Sequence, residues 1–177
     1  MNPTVSILAV SLALGLLAGA AEAAGPPSAT AQLVNGTGAA IGSVVLTEGT
    51  GGVLIEVEAT GLTPGWHGVH LHEMGVCAAD GFKSAGAHMG HHEGVGHGLL
   101  NPNGPEAGDL PNLYSADGSA HVQLFSDKVT LDPAKAGPGR LLIKDGSLII
   151  HTARDDQSTQ PIGGAGARVA CGVLKVN

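Results

Sequence analysis

At 177 residues the chain has room for one domain of ordinary size plus an N-terminal extension. Fifteen acidic against eight basic residues give a net charge of −7. That excludes a strongly basic nucleic-acid binder, and it means that any small anionic substrate needs a local positive group to guide it.

Val5 to Ala20 is an uncharged run rich in Leu, Ala and Val, too short for a comfortable membrane span. Ala21-Glu22-Ala23 supplies an A-x-A cleavage pattern, so residues 1–23 read as a signal peptide cut after Ala23. Met1 to Thr4 carries no Lys or Arg, which leaves cleavage after Ala20 and a retained membrane anchor as alternatives. No Cys follows the run, which argues against a lipoprotein. Residues 24–30 (AGPPSAT) read as a flexible leader, and residues 31–177 as a single β domain.

From Ala31 onward the pattern is short strands with glycine punctuation. AQLVNGTGAAIGSVVLTEG holds two apolar runs separated by Asn35-Gly36, a hairpin signal. Val53 to Ala59 alternates, with Glu56 and Glu58 on one face and Leu54 partly breaking the pattern. Gly65 to Glu73, Ala120 to Phe125, Gly146 to His151 and Arg168 to Lys175 complete the strand set. Twenty-nine glycines with two Phe and one Trp indicate a β core of Val, Leu, Ile and Ala with many tight turns. Seven or eight short antiparallel strands of this kind predict an all-β fold, a Greek-key β-barrel or immunoglobulin-like sandwich. Gly75 to Gly118 and Thr152 to Ala167 do not read as strands; loops so long are functional or disordered, and both adjoin histidines.

Seven of the nine histidines fall between His67 and His97. In the strand His67-Gly-Val-His70-Leu-His72-Glu73, period two puts His70 and His72 on one face. Two neutral imidazoles on one rigid face form half of a copper or zinc site. His151, ending a distant apolar run, suggests a site assembled by the fold. His67 is an odd number of residues from both and faces away from them. Cys77 and Cys171, an even count in an exported chain, suggest one disulfide, stabilising by roughly 4–5 kcal/mol in the chain-entropy model. Buried free thiols or zinc ligation are the other readings of the pair, although neither lies in a C-x-x-C motif.

Five motifs in order, GLTPGWHGVHLHE, FKSAGAH, GDLPNLYSADG, SLIIHTARDD and GGAGARVACGVL, resemble the secreted bacterial copper/zinc superoxide dismutase family over Ala31 to Val176. The resemblance implies dismutation of superoxide to O₂ and hydrogen peroxide by a copper redox cycle, with zinc as a structural and tuning metal. By resemblance, His70, His72 and His151 hold copper, His88 bridges copper and zinc, and His97 and Asp109 are zinc ligands. Asp155 then accepts imidazole N–H bonds from both ligand sets, His67 is a supporting histidine, and Arg168 attracts and orients superoxide. His88 serves as the proton-carrying group of the cycle.

One position departs from the family pattern. The third zinc histidine falls at Glu106, three residues before Asp109. Glu106 itself can bind zinc, or His91 or His92 in the HMGHHEGVGH run supplies the missing imidazole. The partner expected is superoxide, with no nucleic acid, with a membrane only if the N-terminal segment stays uncleaved, and with the chain a monomer or homodimer. The location expected is the periplasm or the outside of the cell. The competing reading is a copper-binding or storage protein on the same fold with weak or no dismutase activity.

Overall fold

The computed structural model describes residues 25–177, so the expected signal peptide and its cleavage site lie outside the described residues. In chain order the strands are β1 (Ser28–Asn35), β2 (Ala40–Glu48), β3 (Val53–Thr60), β4 (Gly65–His67), β5 (Val69–His72) and β6 (Leu113–Ser115). They continue with β7 (Ser119–Ser126), β8 (Val129–Thr130), β9 (Leu141–Leu142), β10 (Ser147–His151), β11 (Arg168–Val173) and β12 (Lys175–Val176). The only helical turns among the described residues are two single 3₁₀ turns, Lys83–Ala85 and Pro133–Lys135.

The alternation read from the sequence is the alternation of burial. In β3, Val53, Ile55, Val57 and Ala59 are buried while Leu54 and Glu58 face water, so Leu54 is an outward apolar residue rather than a break in the strand. Seven strands pair in the order β5-β10-β11-β1-β2-β3-β7, and β12 adds to β1 as the eighth. The two edges of this sheet are joined. From β7 a tight turn at Asp117-Gly118 leads back to β6, β6 pairs with β4, and β4 runs through Gly68 into β5 at the opposite edge. The curled sheet thereby closes around one core that includes Leu33, Val44, Leu46, Ile55, Leu71 and Leu148. Each such side chain contributes roughly 1.5–3 kcal/mol by leaving water. Phe82, Ala85, Ile149 and Cys171 form a second, smaller cluster, in which the loop after β5 packs on β10 and β11.

The architecture meets the all-β barrel expectation, and the main sheet has the eight strands foreseen. Four details differ. β1 begins at Ser28 rather than Ala31, because Ala29 and Thr30 pair with Val176 and Lys175; the leader is shorter than residues 24–30. The first hairpin does not turn on Asn35-Gly36 alone: Asn35 Oδ1 accepts from Thr37 and Ala39 N–H, making a longer turn with Gly38 at φ 81°. The histidine strand is split at Gly68, whose backbone instead bonds Ala153 and His151. Lastly, the short strands β6, β8 and β9 lie outside the expected set, and β8 pairs with β9 in parallel.

Candidate metal centre

Strand β5 is buried at every residue, with Val69 and Leu71 in the barrel core and His70 and His72 on the opposite face. One edge of β5 pairs with β10, with Ile149 opposite His70 and Ser147 opposite His72. The long loop takes the other edge. Leu71 N–H donates to Gly108 O, Met89 N–H to Leu71 O, and Glu73 N–H to Ala87 O. These bonds set Asp109 beside His70 and His88 beside His72. Glycine is required at 108, since a Cβ there would stand 2.2 Å from the Leu71 carbonyl oxygen. Backbone pairing thus carries loop residues to the strand histidines.

His70, His72, His88 and His151 bring one ligand atom each to within 4.8 Å of one another, all buried. In each of the three strand histidines one ring nitrogen is tied to an acceptor, which fixes the tautomer and frees the other. His72 Nδ1–H donates to Gly86 O at 3.0 Å, His151 Nδ1–H to Gly166 O at 3.0 Å, and His70 Nε2–H to Asp155 Oδ2 at 2.7 Å. His88 Nδ1 faces Glu106 Oε2 at 2.8 Å and Asp109 Oδ1 at 3.1 Å. Only five buried side-chain polar atoms lack a partner among the described residues, and four are His70 Nδ1, His72 Nε2, His88 Nε2 and His151 Nε2. An unpaired buried polar atom costs about 1–3 kcal/mol, so four converging ones mark a place built for a ligand. Four free imidazole nitrogens suit copper.

The neighbouring group is built differently. His70, His88, His97 and Asp109 also bring ligand atoms within 4.8 Å. His97 Nδ1 lies 2.8 Å from Asp109 Oδ1 and 3.9 Å from Glu106 Oε2. Glu106 is not in that mutual-distance group, yet its Oε2 lies closer to His88 than Asp109 does. Asp109 Oδ2 accepts from Gly98 and Glu106 N–H, which leaves Oδ1 to face the imidazoles. Zinc bonds of ~2.0–2.2 Å in a tetrahedron imply ligand separations of roughly 3.4 Å. The spacings of 2.8–3.9 Å among His88 Nδ1, His97 Nδ1, Asp109 Oδ1 and Glu106 Oε2 bracket that value. The donor set fits zinc.

The two groups hold opposite protonation preferences. Burial, aided by the charges of His88 and Arg168, drives His72 down to about 2. Burial and the neighbouring His70 bring His151 to about 3, and burial also lowers His70 despite its bond to Asp155. Burial opposes charge at His97 as well, but hydrogen bonds to Asp109 and Asp155 outweigh it and raise the ring to about 10. His88 is raised in the same way by Asp109 and Glu106. Glu106, Asp109 and Asp155 sit below the ordinary carboxylate range: burial opposes this, and their histidine partners overcome it.

Asp155 joins the two groups, for its Oδ2 takes the His70 N–H and its Oδ1 lies 3.1 Å from His97 Nε2. Both ring nitrogens of buried His67 lie against main-chain carbonyls, those of His151 (2.6 Å) and Thr63 (2.8 Å). His67 therefore braces the end of β10 and stays out of both ligand groups.

Arg168 pairs opposite His151 across β10 and β11. It donates to Phe82 O (2.6 Å) and Gly86 O (2.8 Å), so main-chain carbonyls hold the guanidinium, and among the described residues no carboxylate is bonded to it. Gly86 O also holds His72, so one carbonyl fixes both residues. A surface depression of about 380 Å³ opens here, lined by His151, Arg168, Lys83, Gly81 and Ile162. The disulfide Cys77–Cys171 (Cα–Cα 5.7 Å) settles the cysteine question and ties this loop to β11. The cysteines are therefore neither buried thiols nor zinc ligands.

His91 and His92 fall outside both metal groups. His91 Nδ1 contacts Glu106 Oε1, with its side chain 57% exposed, and His92 is exposed with its Nδ1 against Glu93 O. The sequence reading missed Asn112, Gln157 and Gln160. Asn112 exchanges bonds with the Asp155 backbone, Gln157 ties Leu99 N–H to Leu110 O, and Gln160 brackets the His97 backbone from both sides. They bind through amides at irregular spacing, and no motif rule marks them.

Residues 40–174 match the family model for copper/zinc superoxide dismutase. The chain is 50% identical over 149 residues to a superoxide dismutase [Cu-Zn] of Caulobacter vibrioides, covering 84% of this chain and 86% of that one. Among solved structures it is similar to a superoxide dismutase-like protein from Bacillus subtilis (TM-score 0.74, 37% identity, 82% of this chain and 97% of that one). It is also similar to the Cu/Zn superoxide dismutase of Brucella abortus (TM-score 0.65, 34% identity, 84% and 99%). With the site geometry and the match across most of its length in agreement, the chain belongs to the copper/zinc superoxide dismutase family.

Proposed function

We propose that this chain dismutes superoxide, with His70, His72, His88 and His151 holding copper and His88, His97, Asp109 and Glu106 holding zinc. In the reaction one superoxide is oxidised to O₂ and a second is reduced, with two protons, to hydrogen peroxide. When bound, copper would supply the one-electron redox change, and zinc would fix His88 and tune its basicity. The observation that carries this reading is the convergence of four unpaired buried imidazole nitrogens beside a guanidinium that bonds no carboxylate among the described residues.

The remaining tasks belong to the chain's own residues. Arg168, held by two carbonyls at the mouth of the depression, attracts an anion that the net charge of −7 would repel, and orients it above His151. His88, whose Nδ1 faces Glu106 and Asp109, would carry a proton at Nε2 only while that nitrogen is off copper, and would deliver it to the reduced product; the second proton comes from water. Asp155 holds the His70 imidazole in the orientation that leaves its ligating nitrogen free, and His67 braces the backbone of His151. Lone Arg168 and bridging His88 favour turnover over copper storage, which needs neither.

Export to the periplasm or beyond is the second part of the reading. The disulfide belongs to an oxidising compartment, and Val5 to Ala20 with Ala21-Glu22-Ala23 supplies the export signal. Superoxide consumption by purified protein, with copper and zinc measured on the same sample, tests the activity. Rates well above free-copper controls are expected; copper-loaded protein no faster than those controls would sink the assignment.

A further inference from the structure

Glu106 divides its carboxylate between two neighbours. Oε2 faces His88 Nδ1 at 2.8 Å, and Oε1 contacts His91 Nδ1. The residue is 3% exposed, and among the described residues no backbone N–H reaches either oxygen. Asp109, by contrast, has its outer oxygen held by two backbone N–H groups, from Gly98 and from Glu106 itself. For Glu106 the corresponding restraint is one side chain, His91.

The local chain makes this contact. His91 N–H donates to His88 O at 3.1 Å, closing a four-residue turn with Gly90 at φ 78°, where a side chain would be strained. That turn carries His91 back beside His88, onto the outer side of Glu106. His91 remains half in solvent, and it belongs to neither group of converging ligand atoms.

We propose that His91 is a positioning residue for the carboxylate that occupies a zinc-binding place, and not a ligand itself. Its N–H, donated to Oε1, turns Oε2 toward His88 and His97 and keeps Glu106 a one-oxygen donor. It also draws off part of the surplus negative charge of a pocket that has two carboxylates. A flexible carboxylate thereby gains one restraint on its outer oxygen, where the aspartate beside it has two. This inference rests on the reading that Glu106 faces zinc.

The test is zinc affinity of the full purified chain by chelator competition, together with the visible absorption bands of the same pocket loaded with Co(II). Copper affinity of each sample serves as the folding control. His91→Ala weakens zinc about 10- to 100-fold, as loss of a bond to a metal-holding side chain does, and shifts the Co(II) bands. His91→Asn restores most of both, because its amide N–H lies near the position of Nδ1 while an amide is a poor zinc ligand. His92→Ala changes neither. Equal damage from Ala and Asn would overturn the proposal by making His91 a ligand. If Glu106→Ala weakens zinc while His91→Ala does not, the His91 role alone falls. If Glu106→Ala leaves zinc affinity unchanged, the underlying assignment of Glu106 falls and takes this one with it.

Discussion

The two halves of the metal centre meet at His88, with His70 bordering both, and differ in almost everything else. On one side His70, His72 and His151 offer imidazole only, each with its second nitrogen bonded and its ligating nitrogen left without a partner. On the other, every facing nitrogen of His88 and His97 already meets a carboxylate oxygen of Asp109 or Glu106. Without metal, the second half satisfies itself with protons and the first cannot. The imidazole half is therefore a preorganised cavity with a standing cost, which favours a tightly held copper. The carboxylate half exchanges protons for zinc, so its affinity depends on how firmly the carboxylates are aimed.

The largest separation of the halves comes from single ligand removals. His72→Ala removes one imidazole from an all-imidazole set, so copper is lost and dismutation falls to the level of metal-free protein, while zinc stays bound. His97→Ala leaves four copper nitrogens intact, so copper remains and zinc is lost. Metal content and superoxide consumption on each variant check this. Loss of both metals from either variant would mean that the halves are one cooperative unit.

Removing the disulfide acts unequally on the halves. Cys77→Ala with Cys171→Ala frees a separation of 94 residues, which costs about 4–5 kcal/mol in the chain-entropy model. It also loosens the loop whose Phe82 and Gly86 carbonyls hold Arg168 and His72. Urea unfolding should register the stability loss. Activity per bound copper should fall while zinc affinity changes little, since no zinc-facing residue rests on those carbonyls.

This asymmetry also explains what the sequence disclosed. The barrel was legible because alternation in β3 and apolar runs such as Leu148 to Ile150 translate directly into burial. His70 and His72 were legible for the same reason, as period two is a local rule. Strands β6, β8 and β9 were not, being two or three residues long and too short to show a period. Nor was the fate of His91 and His92, because a run of histidines on a loop has no period; only the turn at Gly90 decides which reaches Glu106. Asn112 and Gln160 were illegible in principle, since an amide that brackets a backbone group has no spacing signature.

Asp155 is where the comparison can be collapsed by one atom. Asp155→Asn retains one acceptor oxygen but turns an N–H toward the other imidazole, so either His70 or His97 loses its brace. A drop of about 10- to 100-fold in affinity is expected for the metal on the side that loses it, with a smaller change on the other. Parallel titrations with copper and zinc identify the side. Unchanged affinity for both would show that the loop backbone, bonded to Asn112, holds the imidazoles without the carboxylate.

The measurement that reads the two halves against each other is the pH dependence of the metal-free protein. His72 and His151 sit at about 2 and about 3 when folded, against 6.5 ordinarily. As pH falls below 6.5 the unfolded chain takes up protons that these folded rings refuse, so stability declines from about pH 6.5 toward pH 3. Asp109 and Asp155, held below their ordinary 3.8, steepen the decline only at the acid end of that range. His97 works in the other direction, since at about 10 it keeps a proton that the unfolded chain releases above 6.5. Its contribution is complete below pH 6.5 and is lost as pH rises to 10. Urea midpoints of metal-free protein should therefore peak near pH 6.5 and fall on both sides. His97→Gln should flatten the alkaline limb alone, and His151→Gln should reduce the acid limb alone. An alkaline limb that survives His97→Gln would place the retained proton elsewhere in the carboxylate half, on His88, which Glu106 and Asp109 hold in the same manner.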